Sequence, residues 1–330
     1  MPYDLKKMLV IGVASSALFN LEESHAVFVD LGEDGYREYQ EEHLNDTLRP
    51  GVAFPFIQRL LSLNDLDAEK PLVEVIVLSR NDPETGLRVM KSIEAHRLPI
   101  TRAIFMQGRS PHRFMEALDM SLFLSANEQD VREALELGFA AGQVIGTPAA
   151  SATAGATGSG DLRIAFDFDG VIADDSSEQV MQALGLAAFH SHEVDNVEVP
   201  IGEGRLAKLL RDINRIQDIE ESLVIADRTY NRRVHVAIVT ARNAPSHERV
   251  IRSLRAHGLR VNDAFFLGGI EKAKVLRVLR PHIFFEDQRT HLDAAQNDVP
   301  SVHVPFGLLN QSVASPDEND AEDVAPNHDM

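Results

Sequence analysis

Asp167 and Asp169 stand two residues apart, directly after the apolar run Leu162-Arg-Ile-Ala-Phe166 and just before Gly170. An apolar run that stops at acids and glycine reads as a buried strand delivering its last side chains to the edge of a sheet. In an open α/β sheet that edge is where ligands bind. Two carboxylates there need a cation or a proton between them; the alternative is a solvated acidic turn. Two later segments repeat the pattern. Val234-His-Val-Ala-Ile-Val-Thr240 ends in a hydroxyl, with Arg242 two residues on. His282-Ile-Phe-Phe-Glu-Asp-Gln288 ends in the carboxylate pair Glu286 and Asp287. Between them, Leu267-Gly-Gly-Ile-Glu-Lys-Ala-Lys274 is a glycine turn opening a helix that carries Lys272 and Lys274.

In chain order these segments supply Asp-x-Asp, Thr, Lys and Glu-Asp. Each is a weak signal alone, but the ordered set resembles the haloacid dehalogenase superfamily of phosphohydrolases. The chemistry fits. A phosphate monoester is a dianion, and a carboxylate approaching to ~4 Å meets about 4 kcal/mol of repulsion per charge pair at an effective dielectric near 20. Cations must offset that. Mg²⁺ is expected, because the candidate ligands are hard oxygens with no thiol or imidazole cluster among them. Asp167 and Asp287 are expected as direct ligands, with the backbone carbonyl of Asp169, and Glu286 through a water. Lys272 would place a second positive charge on the phosphate. Lys274 lies about 200° around a helix of ~3.6 residues per turn and should point elsewhere. Thr240 would hold a phosphoryl oxygen. Asp167 is then the nucleophile, forming an aspartyl-phosphate. Asp169 would protonate the leaving alkoxide and later activate water. A dehalogenase would need only the first acid.

The whole chain sets bounds. At 330 residues with 44% hydrophobic content it is comfortable for two globular domains. A formal net charge of −19 argues against binding a nucleic-acid backbone. A small anionic substrate is still admissible, because a metal inverts the local field. The absence of cysteine excludes disulfides and thiolate metal sites. No apolar run approaches a membrane span. Met8–Phe19, preceded by Lys6 and Lys7, has the outline of a signal peptide. An internal repeat favours a buried first strand instead, and a cytoplasmic location is expected. Subunit number stays open, a homo-oligomer included.

That repeat aligns Val75–Ala134 with Val236–Ala295 at a constant shift of 161 residues (236 − 75). Identities include Val75/Val236, Arg88/Arg249, Ser92/Ser253, His96/His257, Phe105/Phe266, Gly108/Gly269 and Phe123/Phe284. Nearer the start the shift is 153, pairing Ile11 with Ile164 (164 − 11). Each copy alternates strands and helices, implying a mostly parallel sheet. The expected architecture is therefore α/β: two tandem Rossmannoid domains resembling the haloacid dehalogenase fold, with helical cap insertions. The domain limits expected are 1–146 and 161–311, with a flexible linker at 147–160 and an acidic, disordered tail at 312–330. The first copy places Ala14 and Ser16 opposite Asp167 and Asp169, Pro111 opposite Lys272, and Ser125 and Ala126 opposite Glu286 and Asp287. It reads as catalytically degenerate.

The second copy's insertion spans about 172–233 and shows helical periodicity at Arg205–Ile216. Such a segment would sit over the strand ends as a lid. His190, His192 and Glu193 lie within it, as a metal site or, on the plainer reading, a solvated helix face. Arg242 could reach a phosphate or sugar, with a surface ion pair as the plainer alternative. Arg80, Asn81 and Asp82 of the first copy either line the substrate site across the interface or cap a strand.

Longer stretches narrow the resemblance. Met1-Pro-Tyr-Asp-Leu5, Pro50-Gly-Val-Ala-Phe-Pro-Phe-Ile57, Leu78-Ser-Arg-Asn-Asp-Pro83, Leu124-Ser-Ala-Asn127, Val239-Thr-Ala-Arg-Asn-Ala-Pro245 and Phe265-Phe-Leu-Gly-Gly269 are similar to the cytosolic type I 5′-nucleotidase family, up to about Leu309. The resemblance implies Mg²⁺-dependent hydrolysis of nucleoside 5′-monophosphates. The family's usual first motif is Asp-Gly-Asp-Ala-Val, whereas this chain has Asp-Phe-Asp-Gly-Val. Both carboxylates survive, and Phe168 could alter the fit of substrate beside the nucleophile. The competing functions are a phosphatase for another small phosphomonoester, such as a sugar phosphate, and a nucleotide-binding regulator without turnover.

Overall fold

A computed structural model describes residues 4–67, 69–146 and 160–310. The segments read as tail (312–330) and, apart from Gly160, as linker lie outside the described residues. Ten strands form one sheet: β1 Leu9–Val13, β2 Val73–Ser79, β3 Arg102–Phe105, β4 Leu122–Ser125, β5 Ala141–Ile145, β6 Leu162–Phe166, β7 Val234–Thr240, β8 Asp263–Phe266, β9 Ile283–Glu286 and β10 Ser301–His303. Their order is β3-β2-β1-β4-β5-β10-β9-β6-β7-β8. Every pairing is parallel except β5 with β10, which is antiparallel and joins the two halves into one continuous sheet.

Each half therefore has the same internal order, with its first strand flanked by its second and fourth. The registers correspond as well. Ile11 pairs with Val75 and Leu122, and Ile164 with Val236 and Ile283. Adding 153 to the first number and 161 to the other two converts one set into the other. The strands are near-continuous apolar runs because a parallel sheet is covered on both faces. β1 lies inside the sheet between β2 and β4 with all five residues buried, so the early apolar run forms the strand expected of it.

Side-chain alternation divides the core. Leu9, Ile11 and Val13 of β1 and Leu162, Ile164 and Phe166 of β6 face one shared core. Helices Phe54–Ser62 and Ala207–Ala226, one from each half, complete it with Phe56, Ile57, Leu60, Leu209, Leu210 and Ile213. On the opposite face each half has its own cluster, around Val10 and Phe123 in the first and Ala165 and Phe284 in the second. Among the described residues no helix is long and apolar enough to cross a membrane.

Candidate active site

β6 ends at Phe166, and the chain then turns irregularly through Phe168–Ile172, where Gly170 has φ +71°. A Cβ on Gly170 would lie 2.6 Å from a carboxylate oxygen of Asp287, so only glycine lets this turn approach β9 so closely. The Asp167 backbone N–H donates to the Phe285 carbonyl (2.8 Å), which fixes Asp167 beside the end of β9. Its Oδ1 accepts from the Phe168 N–H (2.7 Å). Lys272, at the first turn of the helix Lys272–Leu279, extends its Nζ to Asp167 Oδ2 (2.8 Å) and Glu286 Oε2 (2.7 Å). Ligand oxygens of Asp167, Glu286 and Asp287 all lie within 4.8 Å of one another, and all three residues are buried.

One ammonium cannot balance three buried carboxylates, and the site divides the charge unequally. Glu286 is held down at about 2: burial opposes this, but Lys272 and His291, 3.2 Å away, outweigh it. Burial and the neighbouring Asp167 and Glu286 push Asp287 up to about 10. Asp167 is raised well above the usual carboxylate range, first by burial and then by Glu286. Burial would lower Lys272, yet its two carboxylate partners raise it above an ordinary lysine. Asp287 Oδ1 is buried and has no hydrogen-bond partner among the described residues. Its backbone carbonyl, by contrast, accepts from Asn310 Nδ2 (2.9 Å) and lies 3.0 Å from His303 Nε2. A crowded oxygen-only set with one unsatisfied oxygen fits a hard divalent cation.

Asp169 is not part of this carboxylate cluster. Its two oxygens accept from Arg242 Nε (2.7 Å) and NH2 (2.6 Å) in a bidentate fork. Arg242 is buried, so the surface ion pair considered for it is an interior one. Its guanidinium lies over the Phe168 ring (5.4 Å) and the Phe189 ring (5.2 Å), and its remaining nitrogen bonds Glu193. Phe168 is thus a buried platform for that cation. Thr240 is buried at the end of β7, where its Oγ1 accepts from the Arg242 N–H (3.2 Å). Lys274 is exposed and pairs with Glu271 (3.8 Å).

Glu193 corrects the reading of the insertion as a solvated face. It lies near the end of the helix Ser176–Asp195, and its side chain is fully buried. Besides Arg242 it accepts from Arg249 (2.7 Å) and Ser177 (2.9 Å), while His192 Nδ1 lies at 3.1 Å. Burial would raise its pKa, but the two arginines hold it below the usual range. Sequence spacing did not expose it, because its partners lie 49 and 56 residues away.

Asn81 is not brought to the cluster. It follows β2, with β1, β4, β5, β10 and β9 between that strand and β6. Its backbone N–H donates to Ser79 Oγ, its carbonyl accepts from Gln107, and its side chain meets Tyr36, all within the first half. Asp82 caps the helix Pro83–Ala95 by accepting from the Glu84 and Thr85 N–H groups (2.9 Å each). Arg80 pairs with Asp130 and Glu133 (2.7 Å each). At the positions matching the acidic cluster the first half has Ala14, Ser125 and Ala126; Ser125 donates to Asp130 (3.3 Å), and Ser15, which matches Phe168, donates to Ser79 (2.8 Å).

Among known proteins, human cytosolic 5'-nucleotidase 1B is 32% identical to this chain over 301 residues, covering 88% of the chain and 48% of that protein. The chain thus spans about half the length of this curated relative. No solved structure matches. The sequence profile of the 5'-nucleotidase family runs through residues 1–311, across both halves of the sheet and every residue of the acidic cluster, and the chain belongs to that family.

Proposed function

We propose that the chain is a Mg²⁺-dependent 5′-nucleotidase that hydrolyses nucleoside 5′-monophosphates in the cytosol. We read its two halves as tandem units resembling the haloacid dehalogenase fold, the first without catalytic groups. The carrying observation is Lys272 set between Asp167 and Glu286, beside the unsatisfied Asp287 oxygen. That arrangement suits a dianion that must meet an anionic nucleophile. Asp167, Asp287 and the Asp169 carbonyl would hold the cation, with Glu286 bound through water. A cation there would neutralise charge on the phosphate and on Asp167.

Asp167 attacks phosphorus, and the phosphoryl group passes to its carboxylate as the ester oxygen departs. Lys272 and the Thr240 hydroxyl steady the phosphoryl oxygens. Asp169 gives its proton to the leaving alkoxide, then takes one from the water that cleaves the aspartyl-phosphate. Because Arg242 occupies both Asp169 oxygens in this structure, that fork must open and Asp169 must take up a proton from solvent as substrate enters, before it can pass that proton to the alkoxide.

The test is phosphate release from a panel of nucleoside monophosphates and sugar phosphates with Mg²⁺. Hydrolysis of nucleotides by the native chain, abolished in Asp167→Asn, is the expected result. Preference for sugar phosphates would replace the nucleotidase reading, and unchanged activity in Asp167→Asn would remove the mechanism. Ser16→Ala should leave turnover within about 3-fold, because a first half without chemistry has nothing to lose there. A loss of orders of magnitude would show that half to be catalytic.

A further inference from the structure

We propose that Glu193 is the positioning residue that couples the insertion to the catalytic acid. It rests on the phosphohydrolase reading of Asp167 and Asp169. Glu193 is the fixed post of a four-membered chain, Asp169–Arg242–Glu193–Arg249. The guanidinium of Arg242 is buried between two carboxylates and two aromatic rings. Asp169 must leave it to work on substrate; Glu193 need not. When the fork opens, Arg242 stays charge-balanced on Glu193 rather than following Asp169. A planar guanidinium held from two sides also offers its fork in a single orientation, which a lone contact would not enforce.

The same carboxylate clamps the insertion. Ser177, at the start of the helix Ser176–Asp195, and Glu193, near its end, are joined by a hydrogen bond, although Gly185 breaks the helix between them at φ +79°. Arg249, from the helix His247–Ala256 that follows β7, binds Glu193 and the Val199 carbonyl (2.9 Å). Both ends of the insertion's first helix and the β7 helix therefore converge on Glu193, and Arg249 ties in the loop that follows. A shift of the insertion over the strand ends is transmitted through Glu193 to the acid.

The test separates proton delivery from nucleophilic attack. The nucleoside departs from its monophosphate as a basic 5′-alkoxide and needs the acid, whereas p-nitrophenolate departs from an activated ester such as p-nitrophenyl phosphate without a proton. In Glu193→Gln, kcat for the nucleotide should fall roughly 10–100-fold with KM within about 3-fold, a fraction of the full contribution of a general acid. First-turnover release of p-nitrophenol should fall by less than about 3-fold. Glu193→Asp keeps the charge with a shorter reach and should show the same split in milder form, which carries the test should Glu193→Gln not fold. Equal losses on both substrates, or no loss on either, would overturn the coupling. A native chain inactive on both substrates would instead overturn the hydrolase reading on which it rests.

Discussion

An acceptor buried without a donor costs roughly 1–3 kcal/mol, so Asp287 Oδ1 invites the question of what it is for. If it is a cation ligand, adding Mg²⁺ should stabilise the folded chain without any substrate. At a concentration 100-fold above Kd the gain is about 2.7 kcal/mol, or a rise in Tm of roughly 3 °C or more. Asp287→Asn tests the assignment with little collateral damage. With its pKa pushed to about 10, Asp287 is neutral at pH 7 in the metal-free chain, and asparagine copies that form. The variant should melt within about 2 °C of the native chain without metal and show no Mg²⁺-induced rise. A full rise in the variant would place the cation elsewhere. The acids themselves were legible in the sequence because each ends an apolar run, the one position where a strand must hand its side chains to solvent or ligand. Arg242 was read only in part. Its contact with Asp169 follows from two strand ends lying side by side, but its partner Glu193 comes from an insertion whose docking no local pattern encodes.

At the scale of elements, the inner parallel strands were readable because burial on both faces makes them mostly apolar, and the repeat then showed which strands correspond. The break inside the insertion helices was not anticipated. Gly32 and Gly185 both depart from helical geometry, at φ +71° and +79°, and they are related by the same 153-residue shift (185 − 32). An isolated glycine is tolerated within helices often enough that periodicity alone does not mark a break. The seam between β6 and β9 carries a titratable group of its own. His282, just before β9, accepts the Arg163 N–H on Nδ1 (2.9 Å) and is fully buried. Burial, Arg59 and Arg163 push its pKa down to about 3. The folded state therefore binds its proton less readily than the unfolded chain, where histidine titrates near ~6.5. The stability it contributes is complete above pH ~6.5 and is lost as pH falls towards about 3, by up to ~1.4 kcal/mol per unit. His282→Asn keeps an acceptor at Nδ1 without titrating. Between pH 7 and pH 5 the native chain should lose more Tm than this variant. Parallel pH profiles would show that His282 is not responsible.

Across the whole molecule, the sequence suggested two domains on a tether, whereas the halves share one sheet and the core on one of its faces. β5 and β10 pair along their backbones, and the crossing helices seal the joint. From the first half, Phe56 packs its ring against Phe285 (6.5 Å) and Arg59 donates to the Asp161 carbonyl (2.7 Å). From the second, Lys208 donates to Ser121 Oγ (2.8 Å), and Arg215 reaches the Met8 carbonyl (3.3 Å). Hydrophobic periodicity shows that such helices have an apolar face but not whose core it fills, so the exchange is not legible before folding. The physical consequence concerns cooperativity. Separating the halves would bare the shared core, at ~25 cal/mol per Å² of apolar surface, and expose the backbone edges of β5 and β10. Among the described residues neither half has a spare element to cover that loss. The full chain should therefore unfold in a single calorimetric transition, its van't Hoff and calorimetric enthalpies agreeing. Residues 160–310 expressed alone should aggregate or bind a hydrophobic dye, although every proposed catalytic group lies within them, and co-expression with residues 4–146 should restore a soluble complex. An isolated 160–310 segment that melts cooperatively near the temperature of the full chain would show that the shared core is dispensable and that the two halves are independent folding units.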